Sequence, residues 1–337
     1  MRYGYYPGCS MPHSAAPYEL STQAVVKALG VGLEELDDWN CCGATEYIAL
    51  NKIAAYALVG RNLALAERQF CTPGNGKATI VAPCSACCLN LTKVEHNMEL
   101  HPELAKKVNL ALAEGGLSHR AGTIDVKHLL EVVCDDVGLA AVKAKVVKPL
   151  RGLRVAPYYG CLLTRPVLPG HPTDDPEYPT SLDDLLKALG AEVVDFPLKT
   201  HCCGGHMTQI SAETANSLIY RLLRSASEYD ADVVVVICPM CQLNLDAYQS
   251  GVNRQYGTTF ELPVLYFTQL MGLAFGIEAE ELGLGREITP ARNALAKIGV
   301  AEPQPRPAEP PKPARRAKGD KRLPMPVLPG SDRGGEA

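Results

Sequence analysis

Two kinds of apolar pattern alternate along the chain, and their alternation predicts an α/β fold. Short apolar runs such as Ala78 to Ala82 and Val233 to Ile237 are typical of strands buried on both faces of a sheet. Longer segments, from about 46 to 70 and from about 211 to 229, carry apolar residues at helical spacing and predict helices. Each sheet is therefore expected to be small, mostly parallel and flanked by helices.

The same order of predicted elements occurs twice in the sequence. The helix at about 18 to 29 and the helix at about 181 to 189 run into the same four residues, Lys-Ala-Leu-Gly. The repeat is longer than the unit of a solenoid, so it predicts two homologous domains, at residues 1–150 and 151–300, related by pseudo-two-fold symmetry. Within the first domain, a further helix is predicted from about 126 to 136.

Composition changes abruptly after residue 300. The segment 301–337 holds nine prolines, many small residues and a basic group around Arg315 and Arg316. Such a segment has too few apolar residues to order itself against a core, which predicts a disordered, proline-rich basic tail. A solvated tail without a role and a tail that contacts a partner protein are both compatible with this composition.

Composition and charge limit the classes of function. The chain has 337 residues, 47% of them apolar, and a formal net charge of -4, which indicates a globular protein without general affinity for nucleic acid. The N-terminus is not typical of a signal peptide, and the apolar run from Val264 to Ile277 is shorter than a membrane span. A cytoplasmic protein without a membrane span is therefore predicted. In that compartment, clustered cysteines favour metal or redox chemistry over structural disulfides.

Ten of the thirteen cysteines fall into two sets of five. Each set has an upstream cysteine, an adjacent pair followed by glycine, and a Cys-x-x-Cys motif. The first set is Cys9, Cys41, Cys42, Cys84 and Cys87, and the second is Cys161, Cys202, Cys203, Cys238 and Cys241. Five thiols exceed the four that a tetrahedral zinc ion or a cubane cluster uses. Because adjacent side chains diverge, a cysteine pair serves two irons of one cluster more readily than one ion, which favours a multi-iron site over zinc.

The sequence also predicts how these thiolates would be stabilised. Cys84 and Cys238 lie where a strand leads into a helix, and free N–H groups there favour anionic sulfur. Gly43 and Gly204 follow the cysteine pairs, where a missing side chain lets backbone amides approach sulfur.

Several further residues near the sets carry predictions. His201 and His206 flank the second pair, and either could donate a hydrogen bond to sulfur or a proton to a product thiolate, with packing or surface roles as the alternative; His206 is the candidate catalytic residue. Asn90 and Asn244 are expected to hold local backbone. The remaining cysteines are expected to be free thiols, and these are Cys71, Cys88 and Cys134.

The loop from Pro166 to Pro179 is longer than its counterpart in the first repeat. It could border a substrate opening or be a surface insertion.

The duplicated Cys-Cys-Gly (CCG) pattern resembles the B-type subunit of heterodisulfide reductase and its bacterial relatives, over about residues 1–275. The resemblance implies that each set of five cysteines binds one non-cubane [4Fe-4S] cluster, and all ten matching positions are cysteine. The spacing differs in one place, with 41 residues between Cys42 and Cys84 but 34 between Cys203 and Cys238. Zinc at one site is the alternative.

The resemblance implies reduction of a mixed disulfide, small or protein-bound, in one-electron steps. Electrons would come from a ferredoxin-like iron–sulfur partner, the C-type subunit of such complexes, fed by their A-type flavoprotein. The absence of a Gly-x-Gly-x-x-Gly motif after a strand suits an external electron source. Two alternatives remain: an electron-transfer component of a sulfur-oxidising or succinate, glycolate or lactate oxidoreductase complex, and a zinc-stabilised structural protein.

Overall fold

In the computed structural model, which describes residues 1–44, 47–72, 76–168 and 174–300, two four-stranded parallel sheets form the frame of the protein. The strands of the first sheet are β1 (Arg2–Tyr5), β2 (Gly32–Glu35), β3 (Ala78–Ala82) and β4 (Ile124–His128), and those of the second are β5 (Arg154–Tyr158), β6 (Glu192–Val193), β7 (Val233–Val236) and β8 (Val264–Tyr266). The orders β2-β1-β3-β4 and β6-β5-β7-β8 are equivalent. The predicted α/β fold of two related units is confirmed, and every strand pair is parallel.

Helices cover the faces of both sheets. Those of the first half are α1 (Ala16–Leu29), α2 (Tyr47–Leu50), α3 (Lys52–Phe70), α4 (Ser85–Leu100), α5 (Pro102–Ala113), α6 (Leu129–Glu131) and α7 (Leu139–Ala144), with a π-helical segment at Val132–Gly138. Those of the second half are α8 (Ser181–Ala188), α9 (Met207–Ile210), α10 (Ala212–Glu228), α11 (Pro239–Ala247), α12 (Gln249–Tyr256), α13 (Phe267–Ala274) and α14 (Arg292–Leu295). Gly30 ends α1 in the left-handed conformation, as its position after the last apolar residue predicts.

The two halves exchange equivalent contacts. Helix α1 packs against α13 of the second half, and α8 packs against α7 of the first. At the first of these contacts, the rings of Tyr18 and Tyr266 stack with centroids 4.2 Å apart, and the hydroxyl oxygens of Ser21 and Thr268 lie 2.7 Å apart. Such reciprocal packing is what a two-fold axis between the halves produces, and one apolar core runs through both.

The helix predicted from about 126 to 136 is wrong in its first part. Residues 124 to 128 form β4, whose side chains alternate between buried and partly buried in the period of a strand. Helical structure begins only at Leu129 and passes through the π-helical segment. The strand is so short that the apolar residues of the following helix dominate the pattern in this window.

Each long helix that follows a cysteine pair is interrupted near its start. Asn51 separates α2 from α3, and Ser211 separates α9 from α10, both with extended backbone at φ near -150°. The Asn51 side chain caps α3 by accepting the N–H of Ala54 at 3.1 Å. The short helices α2 and α9 therefore lie at equivalent places beside the paired cysteines.

The domain boundary at residue 150 stays a prediction. The predicted tail, 301–337, lies outside the described residues.

Candidate metal centre

The upstream cysteine and the Cys-x-x-Cys motif of each set follow neighbouring strands. Strands β1 and β3 pair in parallel with Tyr5 opposite Val81, so Cys9 and Cys84 come off the same edge of the sheet. Strands β5 and β7 place Cys161 and Cys238 in the same way. The carboxyl edge of each sheet is where sites form in parallel α/β proteins.

Within the first set, the sulfur atoms lie in a connected series. The Sγ atoms of Cys9 and Cys41 are 3.8 Å apart, and those of Cys42 and Cys87 are 3.4 Å apart. Hydrogen bonds between thiols also join Cys41 to Cys42 and Cys84 to Cys87. These separations are far longer than a covalent S–S bond, and all thirteen cysteines are free thiols.

The second set repeats most of this series. Thiol hydrogen bonds join Cys161 to Cys202, Cys203 to Cys241, and Cys241 to Cys238.

One contact then links the two sets. The Sγ atoms of Cys84 and Cys238 lie 3.9 Å apart, although the residues are 154 positions apart in sequence. The two cysteine sets therefore meet between the halves of the protein.

Two glycines hold the upstream cysteines against the sulfur series. Gly8 and Gly160 both have positive φ, +73° and +69°. A Cβ atom on Gly8 would lie 3.0 Å from the Sγ of Cys87, and one on Gly160 would lie 3.0 Å from the Sγ of Cys241. Only glycine accommodates both this conformation and this close approach.

Backbone amides and neighbouring thiols stabilise the anionic form of selected sulfurs. The Cys161 thiol and then the Gly204 N–H, which lies 3.3 Å from the sulfur, lower the pKa of Cys202 to about 6. The thiols of Cys42 and Cys9 lower the pKa of Cys41. The predicted glycine N–H contact with sulfur is thus present, and thiolates are the form that binds metal.

The pKa of Cys238 is also held well below its usual range. The Cys241 thiol is the largest cause, followed by the thiol of Cys84 and by backbone N–H groups at the start of α11. Cys84 and Cys238 both occupy the N-cap position of the helix that follows, as the strand-to-helix transition predicts. The positive end of a helix favours anionic sulfur there.

Matching asparagines and tyrosines hold the loops of the cysteine pairs. Asn90 donates to the carbonyls of Cys42 and Ala44, and Asn244 donates to the carbonyls of Cys203 and Gly205. The expectation that these asparagines hold local backbone agrees with these contacts.

Two tyrosine hydroxyls act on the residue just before each pair. Tyr6 donates to the carbonyl of Asn40 at 2.7 Å, and Tyr158 donates to the carbonyl of His201 at 2.6 Å. Each loop is therefore fixed by one side chain from the strand end and one from the Cys-x-x-Cys helix.

The two histidines have different surroundings. His206 lies near enough to Cys41 of the other half to contribute to the low pKa of that thiol, after the larger effects of the Cys42 and Cys9 thiols and of the Gly43 N–H. Burial and then the charges of Arg221 and Arg165 lower the pKa of His201. Of these two histidines, His206 is the one whose charge acts on a cysteine thiol.

Sequence reasoning missed three side chains beneath the contact between the two sets. The hydroxyl of Tyr18 lies 3.2 Å from the Pro83 carbonyl and 3.3 Å from the Ile237 carbonyl, each directly before a contact cysteine. Tyr266 stacks on Tyr18, and the fully buried His128 has its pKa lowered to about 4 by burial. His128 and Tyr266 end the edge strands β4 and β8, so they occupy equivalent places in the two halves.

The donor set suits a multi-iron group better than a single ion. Across the described ranges, no group of three or more His, Cys, Asp or Glu side chains is already arranged to hold a metal ion. The sulfurs of the ten cysteines are arranged in series, with three exposed (Cys9, Cys41 and Cys202), one half-buried (Cys161) and six buried. A series of thiols that is exposed at one end and buried at the other can hold several irons and leave one side accessible.

Comparison with known families agrees with this arrangement. The profile of the CCG cysteine-rich domain family matches residues 3–92 and 155–246, one copy in each half. The chain belongs to this family and contains its domain twice.

The matches to curated relatives extend over most of this chain and nearly the full length of each relative. The chain is 35% identical, over 86% of its length and 97% of the relative, to the 8-methylmenaquinol:fumarate reductase membrane anchor subunit of Wolinella succinogenes. It is 32% identical, over 87% of its length and 95% of the relative, to the B-type subunit of the Ferredoxin/F(420)H(2)-dependent CoB-CoM heterodisulfide reductase of Methanosarcina acetivorans. The resemblance to the B-type subunit of heterodisulfide reductase is therefore confirmed.

Among solved structures, a hypothetical protein from Helicobacter pylori shares the fold, with a TM-score of 0.67 and 13% sequence identity. The match covers 86% of this chain and 52% of that one. Within the part of the chain that the structure describes, no helix has the length and apolar character of a membrane span.

Proposed function

We propose that this chain is an iron–sulfur subunit of a cytoplasmic reductase complex in which two non-cubane [4Fe-4S] clusters cleave, or in reverse form, a disulfide. Cys9, Cys41, Cys42, Cys84 and Cys87 would hold one cluster, and Cys161, Cys202, Cys203, Cys238 and Cys241 the other. A ferredoxin-like iron–sulfur protein and a flavoprotein would exchange electrons with it as partner subunits. The relatives that are named as B-type subunits of heterodisulfide reductases support this assignment.

The contact between Cys84 and Cys238, at 3.9 Å, carries the proposal. It joins two thiol sets, each too large for one tetrahedral ion, across the boundary between the halves. A disulfide has two sulfur atoms to separate, and a site built from two adjoining sulfur-rich sets offers one for each.

Several features of the chain fit such clusters. The amides of Gly43 and Gly204 favour anionic sulfur, and Gly8 and Gly160 leave space for a sulfur of the Cys-x-x-Cys motif in the same set. When bound, the clusters would supply single electrons and iron with affinity for sulfur.

Two protons must accompany the two electrons. Cleavage of R–S–S–R′ breaks one S–S bond and yields RSH and R′SH after uptake of two electrons and two protons. His206, whose charge acts on the Cys41 thiol, would hold one of these protons on its imidazole and pass it to a product thiolate.

Metal analysis of anaerobically purified protein tests the cofactor assignment. We expect about eight iron atoms and about eight acid-labile sulfides per chain, as two four-iron clusters require. Two zinc ions without iron would overturn the proposal and favour the structural alternative.

Spectroscopy tests the chemistry. Adding a disulfide to the reduced, iron-loaded protein should produce a new electron paramagnetic resonance signal that a matched thioether does not produce. His206→Gln should slow the reaction and shift its pH profile without changing the iron content. Identical signals with the disulfide and the thioether would contradict disulfide chemistry.

A second candidate function has support from one relative. The Wolinella relative is named as the membrane anchor subunit of a fumarate reductase, which favours an electron-transfer role within a dehydrogenase-type complex. In that case the clusters would be reduced and reoxidised by partner subunits, and added disulfides would leave the resonance signal unchanged.

A further inference from the structure

A cavity of about 270 Å³ lies between the halves, lined by residues of both. The first half contributes α4, β4 and the start of the π-helical segment, and the second half contributes the segment that follows Cys161. The side chains that line it are Cys88, Leu89, Thr92, Asp125, Val126, Lys127, Glu131, Asp135, Leu162, Leu163, Pro166 and Leu168.

The position of the cavity connects it to the proposed ligands. Cys88 directly follows Cys87 of the first set, and Leu162 directly follows Cys161 of the second. A molecule in the cavity would therefore touch chain segments that belong to both sets.

The charge of the cavity is negative. Asp125, Glu131 and Asp135 face it, and its one cationic side chain in the described chain, Lys127, is paired with both oxygens of Asp136 at 2.7 and 2.8 Å. A cation that is already neutralised adds little attraction for an anionic ligand, whereas the carboxylates of Asp125 and Asp135 repel one.

An adjoining cavity of about 300 Å³ extends the same surface. It shares Glu131, Asp135 and Leu163 with the first and adds the carboxylate of Asp174. The hydroxyl of Thr164, which is 1% exposed, also lines it and has no hydrogen-bond partner among the described residues. Buried hydroxyls normally have a partner, so this one indicates a polar group that the cavity receives.

The second half is arranged differently at the equivalent place. The positions of Cys88 and Thr92 in α4 correspond to Gln242 and Asp246 in α11, at the offset of 154 residues that relates the two motifs. Gln242 donates to Asp246 at 3.0 Å, and Asp246 in turn accepts the N–H of Ile288 at 2.9 Å. Asp246 also lines a cavity of about 660 Å³, whose other lining residues include Pro290 and Asn293, so the surroundings of the two cavities differ between the halves.

We propose that this cavity binds the organic substituents of the substrate, and that they are uncharged or carry an ammonium group, not a carboxylate, sulfonate or phosphate. The inference rests on the proposed function, since it names the substrate class of that same site. Leu89, Leu162 and Leu163 would contact the aliphatic part, and Asp125 and Asp135 the cationic end.

Three matched aliphatic probes test the charge preference without thiol exchange. Hexane-1,6-diamine, hexane-1,6-diol and adipate replace the S–S unit of cystamine, bis(2-hydroxyethyl) disulfide and dithiodiglycolate by two methylenes. Calorimetric titration into the iron-loaded chain at low ionic strength should show the diamine binding at least about tenfold more tightly than adipate. Adipate binding as tightly as the diamine would overturn the proposal.

Two variants locate the binding site. Asp125→Asn with Asp135→Asn should weaken diamine binding at least about fivefold while leaving the diol unchanged. Leu163→Trp should fill the space between the two cavities and abolish binding of both, and Glu103→Gln, on the exposed face of α5, should change neither. If the diamine binds Leu163→Trp as tightly as it binds the wild type, the cavity is not the site. Retained iron content and an unchanged melting temperature ensure that the variants are folded.

Cystamine and dithiodiglycolate separate this inference from the proposed function. If both disulfides change the resonance signal equally and the diamine does not bind, disulfide chemistry stands and the substrate class is wrong. If neither disulfide changes the signal but the diamine binds in the cavity, the disulfide chemistry fails and with it the substrate assignment. The inference holds where cystamine alone, or cystamine at a much lower concentration, changes the signal.

Discussion

The two halves of this protein share their sulfur sites and differ in the residues immediately around them. In both halves a glycine, a tyrosine and an asparagine hold the cysteines through equivalent contacts. Next to these contacts, His128 of the first half corresponds to Tyr266 of the second, and Cys88 corresponds to Gln242. The Tyr266 hydroxyl and the Gln242 side chain lie 3.5 Å apart, whereas Cys88, the equivalent of Gln242, lines the cavity between the halves.

The comparison shows which parts of the repeat are constrained by geometry. The loops that carry the cysteines can change little in conformation, because close contacts with sulfur fix the position of each loop. One residue layer away, side chains are constrained only by packing, and the two halves place different side chains there. We expect symmetry in cluster binding and asymmetry in ligand binding.

The anchoring of the edge strands differs in the same way. Glu95 accepts the N–H groups of Gly122 and Ile124 at 2.9 Å and binds the buried ring of His119. Its equivalent in α12, Gln249, exchanges two hydrogen bonds with the backbone of Leu262. The same structural task is performed by a charged network in one half and by a neutral amide in the other.

The largest expected effect comes from removing one buried cysteine in each half. Cys42→Ala and Cys203→Ala should each lower the iron content from about eight to about four atoms per chain, because each set would lose a central thiol. Cys71→Ala, outside both sets, should retain all the iron. Loss of all iron from either single variant would show that the contact between Cys84 and Cys238 makes the two sets interdependent, which would break the equivalence of the halves.

Next in size is the difference between the two strand anchors. Glu95→Ala should lower the free energy of unfolding by about 3–5 kcal/mol, because it disrupts a buried charged network, and Gln249→Ala by about 1–3 kcal/mol. Anaerobic urea denaturation of the iron-loaded proteins measures both. Glu95→Gln should lie between the wild type and Glu95→Ala, since the amide oxygen can still accept from backbone. Equal losses for the two alanine variants would mean that the charge contributes nothing.

A smaller, pH-dependent difference should come from Glu131 and its equivalent, Gln269. Each accepts the backbone N–H of the residue that ends the edge strand, His128 at 2.5 Å and Tyr266 at 2.9 Å. Burial raises the pKa of Glu131 from 4.5 to about 7, so the folded state binds the proton more tightly than the unfolded state does. Stability from this group is then fully present below pH 4.5 and is lost as the pH rises towards 7.

Glu131→Gln makes the first half resemble the second and tests this effect. Between pH 5 and pH 8 the wild type should lose about 2 kcal/mol of unfolding free energy relative to the variant. Denaturation curves at the two pH values measure the difference. If the unfolding free energies of the wild type and the variant change equally with pH, the Glu131 carboxyl keeps its usual pKa in the folded state.

The smallest expected effect tests symmetry directly. Gly8→Ala and Gly160→Ala should each cost about 1 kcal/mol from the positive φ and should also speed iron release to a chelator, because the new methyl would press on sulfur. Gly30→Ala is the control, because Gly30 also has a positive φ but no atom of the described residues would lie within 4 Å of the added Cβ. This variant should lose the same unfolding free energy as the other two without releasing iron faster. If only one of the Gly8→Ala and Gly160→Ala variants releases iron faster, the glycines are packed against sulfur differently in the two halves.

Much of the fold and of the candidate site could be predicted from local pattern. The buried strands β3 and β7, the glycine that ends α1 and the placement of Cys84 and Cys238 at helix starts all follow from a few neighbouring residues. Strand β4 could not be found in this way, because five alternating residues are adjacent to a longer apolar segment with helical spacing. The interruption at Asn51 was also missed, because the apolar spacing continues on both sides of it, and so was the short helix α9, which precedes the predicted helix start at Ser211.

Spacing and the order of elements along the chain are enough to predict that ten cysteines form two equivalent sets and that each set follows the strands of a parallel α/β unit. Three features become visible only in the folded chain: the contact between the sets at Cys84 and Cys238, the proximity of His206 to Cys41 of the opposite half, and an acidic cavity lined by residues of both halves. These features depend on packing between the halves. Residues more than 150 positions apart, which no local pattern relates, are brought together there by burial of the helices that cross the boundary.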